Sequence, residues 1–366
     1  MSVLLGAVAV LMLITSVAFL AFVLRSPALD VRARYVREFE GRWPVRPVLD
    51  AIHKSALFEF GLDAIARLRQ ARGPQEPLAS LYEAKYLVQL FRYDEARAAL
   101  KRVPESDEKR GISFNIMLNL AEDDQAAEIA EEVYGEISRE IGTEHDFLIL
   151  RNSVHLFPPD HARALVRAAL DGFGALGSRV GVATARNNLG IVELASGLIG
   201  EARESFETAR QLLAELGSTE VYQPLVNLSA ISLLEDDIAT ARHLLSAARD
   251  AAPRSLLQDA AMFDLNAVAL GVQEGSHSVT EASEKMRAVV DAAERTWDLR
   301  FRDVATWFAE SLETVVSGRA KPTADLMRRI EKIRTSGRVP LEVFVRRDIG
   351  NAEVDVPFVL SPHWRY

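Results

Sequence analysis

The chain has 366 residues, 49% of them apolar, and a formal net charge of −9. Such a length can bury a large or a long continuous core. The acidic balance argues against nucleic acid as the main partner, because phosphate binding needs a basic face. There is no cysteine, which excludes disulfides, thiolate metal sites and cysteine nucleophiles.

In chain order, the first feature is Val3 to Leu24, 22 residues without a charge and polar only at Thr15 and Ser16. As a helix rising about 1.5 Å per residue, such a run crosses a hydrocarbon layer of about 30 Å. A cleaved signal peptide would need a basic start, a shorter apolar run and a small-x-small cleavage site. Leu24-Arg25-Ser26-Pro27 is a poor one. The reading is a transmembrane anchor over residues 1–25, followed by an arginine-rich linker over 26–47. Arg25, Arg32, Arg34, Arg37, Arg42 and Arg46 all follow the span. The positive-inside rule then predicts a single-pass inner- or plasma-membrane protein with its amino terminus outside and its bulk cytoplasmic.

From residue 48 to 335 the pattern is one of amphipathic helices separated by Gly, Pro or Asp punctuation. Asn188-Leu189-Gly190, followed by Ala202, Phe206 and Ala209, recurs as Asn227-Leu228-Ser229 with Ala241, Leu245 and Ala248. In both copies the spacings are 13, 4 and 3. Gly190 or Ser229 and the first alanine let two helices cross closely. Phe206 and Leu245 fill the groove beside them, and Ala209 and Ala248 admit the next hairpin. Pro253 ends a helix because it lacks a donor and clashes with the preceding turn. A packing alanine can be followed at Ala64, Ala96, Ala127, Ala162, Ala202, Ala241, Ala282 and Ala324, with gaps from 31 to 42.

These residues resemble the tetratricopeptide repeat family, in an extended form with a period near 40. Tyr82-Glu83-Ala84 with Asp94-Glu95-Ala96, and Gly200-Glu201-Ala202 after Asn187-Asn188, carry the resemblance. In plan the chain is similar to membrane-anchored bacterial repeat proteins. Leu-Gly is missing from most units, two prolines precede Asp160, and Gln273 to Thr280 lengthens one turn. The resemblance implies an all-α, right-handed α-solenoid of about seven to eight helical hairpins, preceded by the one transmembrane helix.

At the carboxyl end the period changes to two. Leu341, Val343 and Val345 alternate, as do Val354, Val356, Phe358 and Leu360, with a turn near Gly350. This predicts a β-hairpin within residues 336–366. A lone hairpin is marginal in water, so it is expected to cap the last helices or to be a strand offered to a partner. Trp364 reads as a packing anchor.

The sequence shows no constellation for chemistry. It has no phosphate loop, no Gly-x-Ser-x-Gly and no His-Glu-x-x-His. His145, His155 and His161, with Asp146 and Asp160, are spaced poorly for a metal. The expectation is a non-enzyme without metal or cofactor.

One series stands out: Asn115, Asn152, Asn188, Asn227 and Asn266, one per hairpin, with Asn187 beside the third. An amide offers both donor and acceptor, so it can bond an extended backbone regardless of sequence. The resemblance implies that the residue before Leu-Gly, which is Asn188 and Asn227 here, faces a concave ligand groove. Asn266 matches less well, and Asn115 and Asn152 least. The competing reading is that these amides bond neighbouring helices and order the stack. The function expected is a membrane-anchored scaffold or adaptor holding a peptide or protein segment in its groove. The alternative is a ligand-responsive sensor or regulatory subunit that controls a partner enzyme in trans.

Overall fold

The computed structural model describes residues 45–54, 57–72, 77–137, 142–252, 257–294, 299–317, 322–349 and 352–362. The chain divides into two compact units, residues 1–113 and 114–366. Each is described by itself.

The first unit carries α1 (Val45–Lys54), α2 (Phe58–Arg72), α3 (Pro77–Gln89) and α4 (Tyr93–Leu100), and most of the first turns of α5 (Asp107–Asn119). Its core is Leu49, Ile52, Phe58, Ile65, Leu68, Tyr82 and Tyr86 with small Ala64 and Ala79. The Tyr86 hydroxyl donates to the Leu49 carbonyl at 2.8 Å, tying α3 to α1. Glu83 on α3 accepts from Arg69 on α2 (2.6 Å) and from Arg102 (2.5 Å).

The second unit continues with α6 (Asp123–Ile137), α7 (Glu144–Asn152), α8 (Pro159–Ala175), α9 (Arg179–Ala195), α10 (Ile199–Glu215), α11 (Tyr222–Leu234), α12 (Ile238–Ala251), α13 (Leu257–Glu274), α14 (Val279–Ala293), α15 (Leu299–Ser317) and α16 (Ala324–Thr335). Successive helices pack as hairpins, α7 on α8, α9 on α10, α11 on α12 and α13 on α14. One continuous apolar core runs through them from Phe114 to Leu360. This is a helical-hairpin repeat.

The repeated residues show why. Ala162, Ala202, Ala241 and Ala282 are fully buried on the second helices. Their lack of bulk sets the hairpin crossing, while Phe206 and Leu245 fill the adjoining space. A Cβ on Gly190 would lie 2.6 Å from the Phe206 ring, so any larger residue must push that ring aside. In the next hairpin the Ser229 hydroxyl uses the equivalent gap to donate to the Ala241 carbonyl at 2.7 Å. Arg203 on α10 pairs with Glu235, and Arg242 on α12 with Glu274, linking each hairpin to the next. These pairs are half exposed and add little stability.

Two positions of the alanine series differ from the sequence reading. The buried alanines of α6 are Ala126 and Ala130, and Ala127 is only half buried. Ala324 is exposed at the start of α16, next to its N-cap Thr323, and Leu326 and Ile330 carry that helix's core contacts. Both slips arise where the helix boundary, rather than the period, sets which face is inward.

The carboxyl segment forms antiparallel strands β1 (Glu342–Ile349) and β2 (Ala352–Val359), registered Glu342 with Val359 and Phe344 with Pro357. The hairpin lies against the last helices, where Arg334 of α16 meets Asp355 at 2.8 Å, and runs on beyond them. β2 packs on α13 and α15, and residues 359–361 continue across α11 and α9. Arg300 of α15 holds Glu342 with two bonds, 2.9 and 2.8 Å. Val339 donates to the Phe157 carbonyl at 2.9 Å, and Arg338 meets Asp123 at 2.7 Å.

The expected membrane placement is corrected. Among the described residues no helix is long and apolar enough to cross a membrane, and the single-pass, cytoplasm-facing localisation is withdrawn. The Val3–Leu24 run, Pro253 and Trp364 lie outside the described residues.

Candidate functional site

The site forms where the first helices of successive hairpins meet the carboxyl segment. Leu360 donates its N–H to the Leu341 carbonyl at 2.8 Å. Residues 358 and 360 therefore turn their backbone groups toward β1, because successive residues of a strand point to opposite edges. Val359 and Ser361 turn theirs the other way, toward the helices. Among the described residues no third strand stands there. Three buried asparagines do.

Asn266 on α13 pairs with Val359 through both of its groups. Its Oδ1 accepts the Val359 N–H at 2.8 Å, and its Nδ2 donates to the Val359 carbonyl at 2.9 Å. Asn227 on α11 treats Ser361 the same way, accepting its N–H at 2.8 Å and donating to its carbonyl at 3.1 Å. Asn187 on α9 donates to the same carbonyl at 3.0 Å and accepts from Asn227 Nδ2 at 2.9 Å. All three side chains are fully buried, and Ser361 nearly so. Both Nδ2 protons and the Oδ1 of Asn227 are thus used. The amides act as the edge of a missing strand. Their reach matches a strand's repeat, since alternate residues lie about 6.8 Å apart. β1 on one side and this amide ladder on the other frame a slot one strand wide.

The remaining asparagines bond other partners, although Asn188 Oδ1 also accepts from Asn187 Nδ2 at 3.3 Å. Asn188, fully buried, donates to the Arg151 carbonyl at 2.9 Å, joining α9 to α7. Asn152 accepts from Arg151 Nε at 2.9 Å, and its Nδ2 has no partner among the described residues. Asn115 accepts from Asn119 within its own helix, at 2.9 Å. Of the six, the structure brings Asn187, Asn227 and Asn266 together on the carboxyl segment. Asn188 bonds a neighbouring helix, as the Asn227–Asn187 pair does in joining α11 to α9.

The reason for the shift from Asn188 to Asn187 can be counted. From the buried alanine of one hairpin to the ladder asparagine of the next is 25 residues in every case, Ala162 to Asn187, Ala202 to Asn227 and Ala241 to Asn266. Counting forward from the preceding helix keeps register with the face that the neighbouring hairpin presents. Counting back from Leu-Gly selects Asn188. Gln273 also touches the hairpin, donating to the Val345 carbonyl at 3.2 Å, and nothing in the repeat pattern marks it.

No family model matches the chain, and no curated protein matches it. Among solved structures it is similar to a Rap protein complexed with competence and sporulation factor, at 13% identity and TM-score 0.47, over 79% of this chain and 93% of that one. It is also similar to BtubC (BKLC) from P. vanneervenii, at 15% identity and TM-score 0.25, over 75% and 94%. Neither likeness carries an argument about function.

The histidines do not converge. His155 is buried, and burial, with Arg300 and Arg338 close by, pushes its pKa down to about 3. His161 lies 2.9 Å from Glu131 and against the Phe157 ring. No group of three or more metal-ligating side chains occurs among the described residues.

Proposed function

We propose that the chain is a non-catalytic helical-repeat scaffold that holds an extended segment of a partner protein by its backbone. Its own residues 359–361 are the occupant in cis. One observation carries the reading: Asn227 and Asn266 each bond both the N–H and the carbonyl of one residue, at residues two apart. Such pairing is blind to side chains and gives affinity through the backbone, leaving specificity to the alternate side chains, as in strand addition to a sheet edge. Five amide-to-backbone hydrogen bonds at about 1 kcal/mol each make the interaction several kcal/mol strong.

The occupied slot also supports the second reading, a sensor. A ligand entering the slot must displace the tail, whose tethering gives it an effective concentration on the order of millimolar. Tail release is then the output that a partner would detect.

The test uses the full chain carrying Phe358→Asp and Leu360→Asp. Both side chains are buried, so two carboxylates there expel the tail. A labelled peptide of residues 352–362 should then bind saturably, as followed by fluorescence anisotropy. Adding Asn227→Ala and Asn266→Ala should abolish that binding. A folded chain that ignores the peptide overturns the proposal.

A further inference from the structure

The ladder has a next step. Counting 25 residues on from Ala282, the same interval that gives the three asparagines, leads to Trp307 on α15. Trp307 is buried, and its indole stands edge-on to Phe344 with ring centres 5.7 Å apart. Phe344 is the cross-strand partner of Pro357. Trp307 thus stands on the helix that packs on β2, against the ring that faces Pro357 across the strand pair.

At this step the strand again turns its backbone toward the helices, since residue 357 shares the phase of residues 359 and 361. An indole carries an N–H donor and no acceptor. An ordinary residue here would bring an N–H into a buried place where Trp307, the ladder's next member, offers no acceptor. Proline brings none. Its ring is also apolar, which suits an aromatic wall. The edge position spares β2, because the N–H that Pro357 lacks is not one that pairs with β1.

Resting on the groove reading above, we infer that the slot selects its segment by proline: the partner is an extended apolar stretch with proline two residues before the first amide-paired residue, and Trp307 sets that requirement. Backbone pairing at Asn266 and Asn227 accepts any residue, while the Trp307 step rejects a backbone N–H.

The experiment compares three labelled peptides of residues 352–362 on the tail-expelled full chain, Phe358→Asp/Leu360→Asp. One has the natural sequence, one has valine in place of Pro357, and one has N-methylvaline there. An unpaired buried N–H should weaken the valine peptide about tenfold. N-methylation removes that N–H, so the third peptide should return to within about threefold of the first. Equal affinity of the natural and valine peptides overturns the proline requirement and leaves the groove reading standing. Equal weakness of the valine and N-methylvaline peptides overturns the rejection of a backbone N–H at the Trp307 step, by making ring shape the cause. Binding of none by a folded chain overturns the groove reading. Should the expelled chain fail to fold, Pro357→Val in the otherwise natural full chain serves. Its Val359 amide should exchange with solvent about tenfold faster, and an unchanged rate overturns the inference.

Discussion

Replacing Asn227 by alanine should loosen the carboxyl segment far more than its size suggests. Asn227 accepts the Ser361 N–H and donates to both the Ser361 carbonyl and Asn187 Oδ1. Without it, the Ser361 N–H and Asn187 Oδ1 lose their bonds, while the Ser361 carbonyl keeps Asn187 Nδ2. Each orphaned buried group costs about 1–3 kcal/mol, so the docked state loses about 2–6 kcal/mol if nothing moves. The segment can escape part of that cost by lifting away, at the expense of exposing Leu360, which is 2% accessible when docked. The smaller end of the range is therefore the safer expectation. A loss of about 2 kcal/mol means roughly thirtyfold faster exchange of the Ser361 amide through local opening. The assay is native-state hydrogen exchange on the full chain, with Asn188→Ala as the control. That variant strips a bond from the Arg151 carbonyl and a longer one from Asn187 Nδ2, lowering overall stability by about 1 kcal/mol while leaving every bond to Ser361 in place. Unchanged protection of Ser361 in Asn227→Ala would refute the reasoning, as would equal local loss in the control.

Three further outcomes follow from the fold. Gly190→Ala gains up to about 1 kcal/mol of helix propensity, but its Cβ would sit 2.6 Å from the Phe206 ring, and overpacking costs about 1–3 kcal/mol. Urea unfolding should show net destabilisation of about 1 kcal/mol. Ala121→Gly should raise the melting temperature, by up to about 1 kcal/mol of stability, because Ala121 holds φ +55° where the Glu122 N–H closes α5 onto the Met117 carbonyl. His155 has its folded-state pKa lowered from 6.5 to about 3. The unfolded chain therefore takes up a proton below pH 6.5 that the folded chain refuses. Stability from this group is full above pH 6.5 and falls toward pH 3 by about 1.4 kcal/mol per unit. His155→Gln should flatten that slope in acid unfolding titrations; an identical slope would show that other groups set it.

The helical repeat was legible because its cause is local and periodic. Ala202 and Ala241, Phe206 and Leu245, and Gly190 and Ser229 each answer a packing demand that returns every hairpin. The hairpin at the carboxyl end was legible from its alternation of two. Its place against the last helices was expected, but its run across α11 and α9 was not, since period alone says which face of a strand is apolar and nothing about which surface covers it. The amide row was visible as a row, yet Asn187 and Asn188 are adjacent and chemically identical. Only the neighbouring hairpin decides which one meets the tail and which one meets Arg151. Gln273 was invisible because its bond to Val345 joins segments 72 residues apart. The anchor inferred from Val3–Leu24 rested on hydropathy alone and gained no support from any described helix.

The most direct measurement is residue-resolved amide exchange across 358–361 in the unaltered full chain. A free-standing hairpin protects alternate amides only, here Phe358 and Leu360, which face β1. The amide ladder adds partners for Val359 and Ser361, so all four consecutive amides should exchange slowly. Slow exchange at 358 and 360 with free exchange at 359 and 361 would contradict the claim that Asn266 and Asn227 hold an extended backbone.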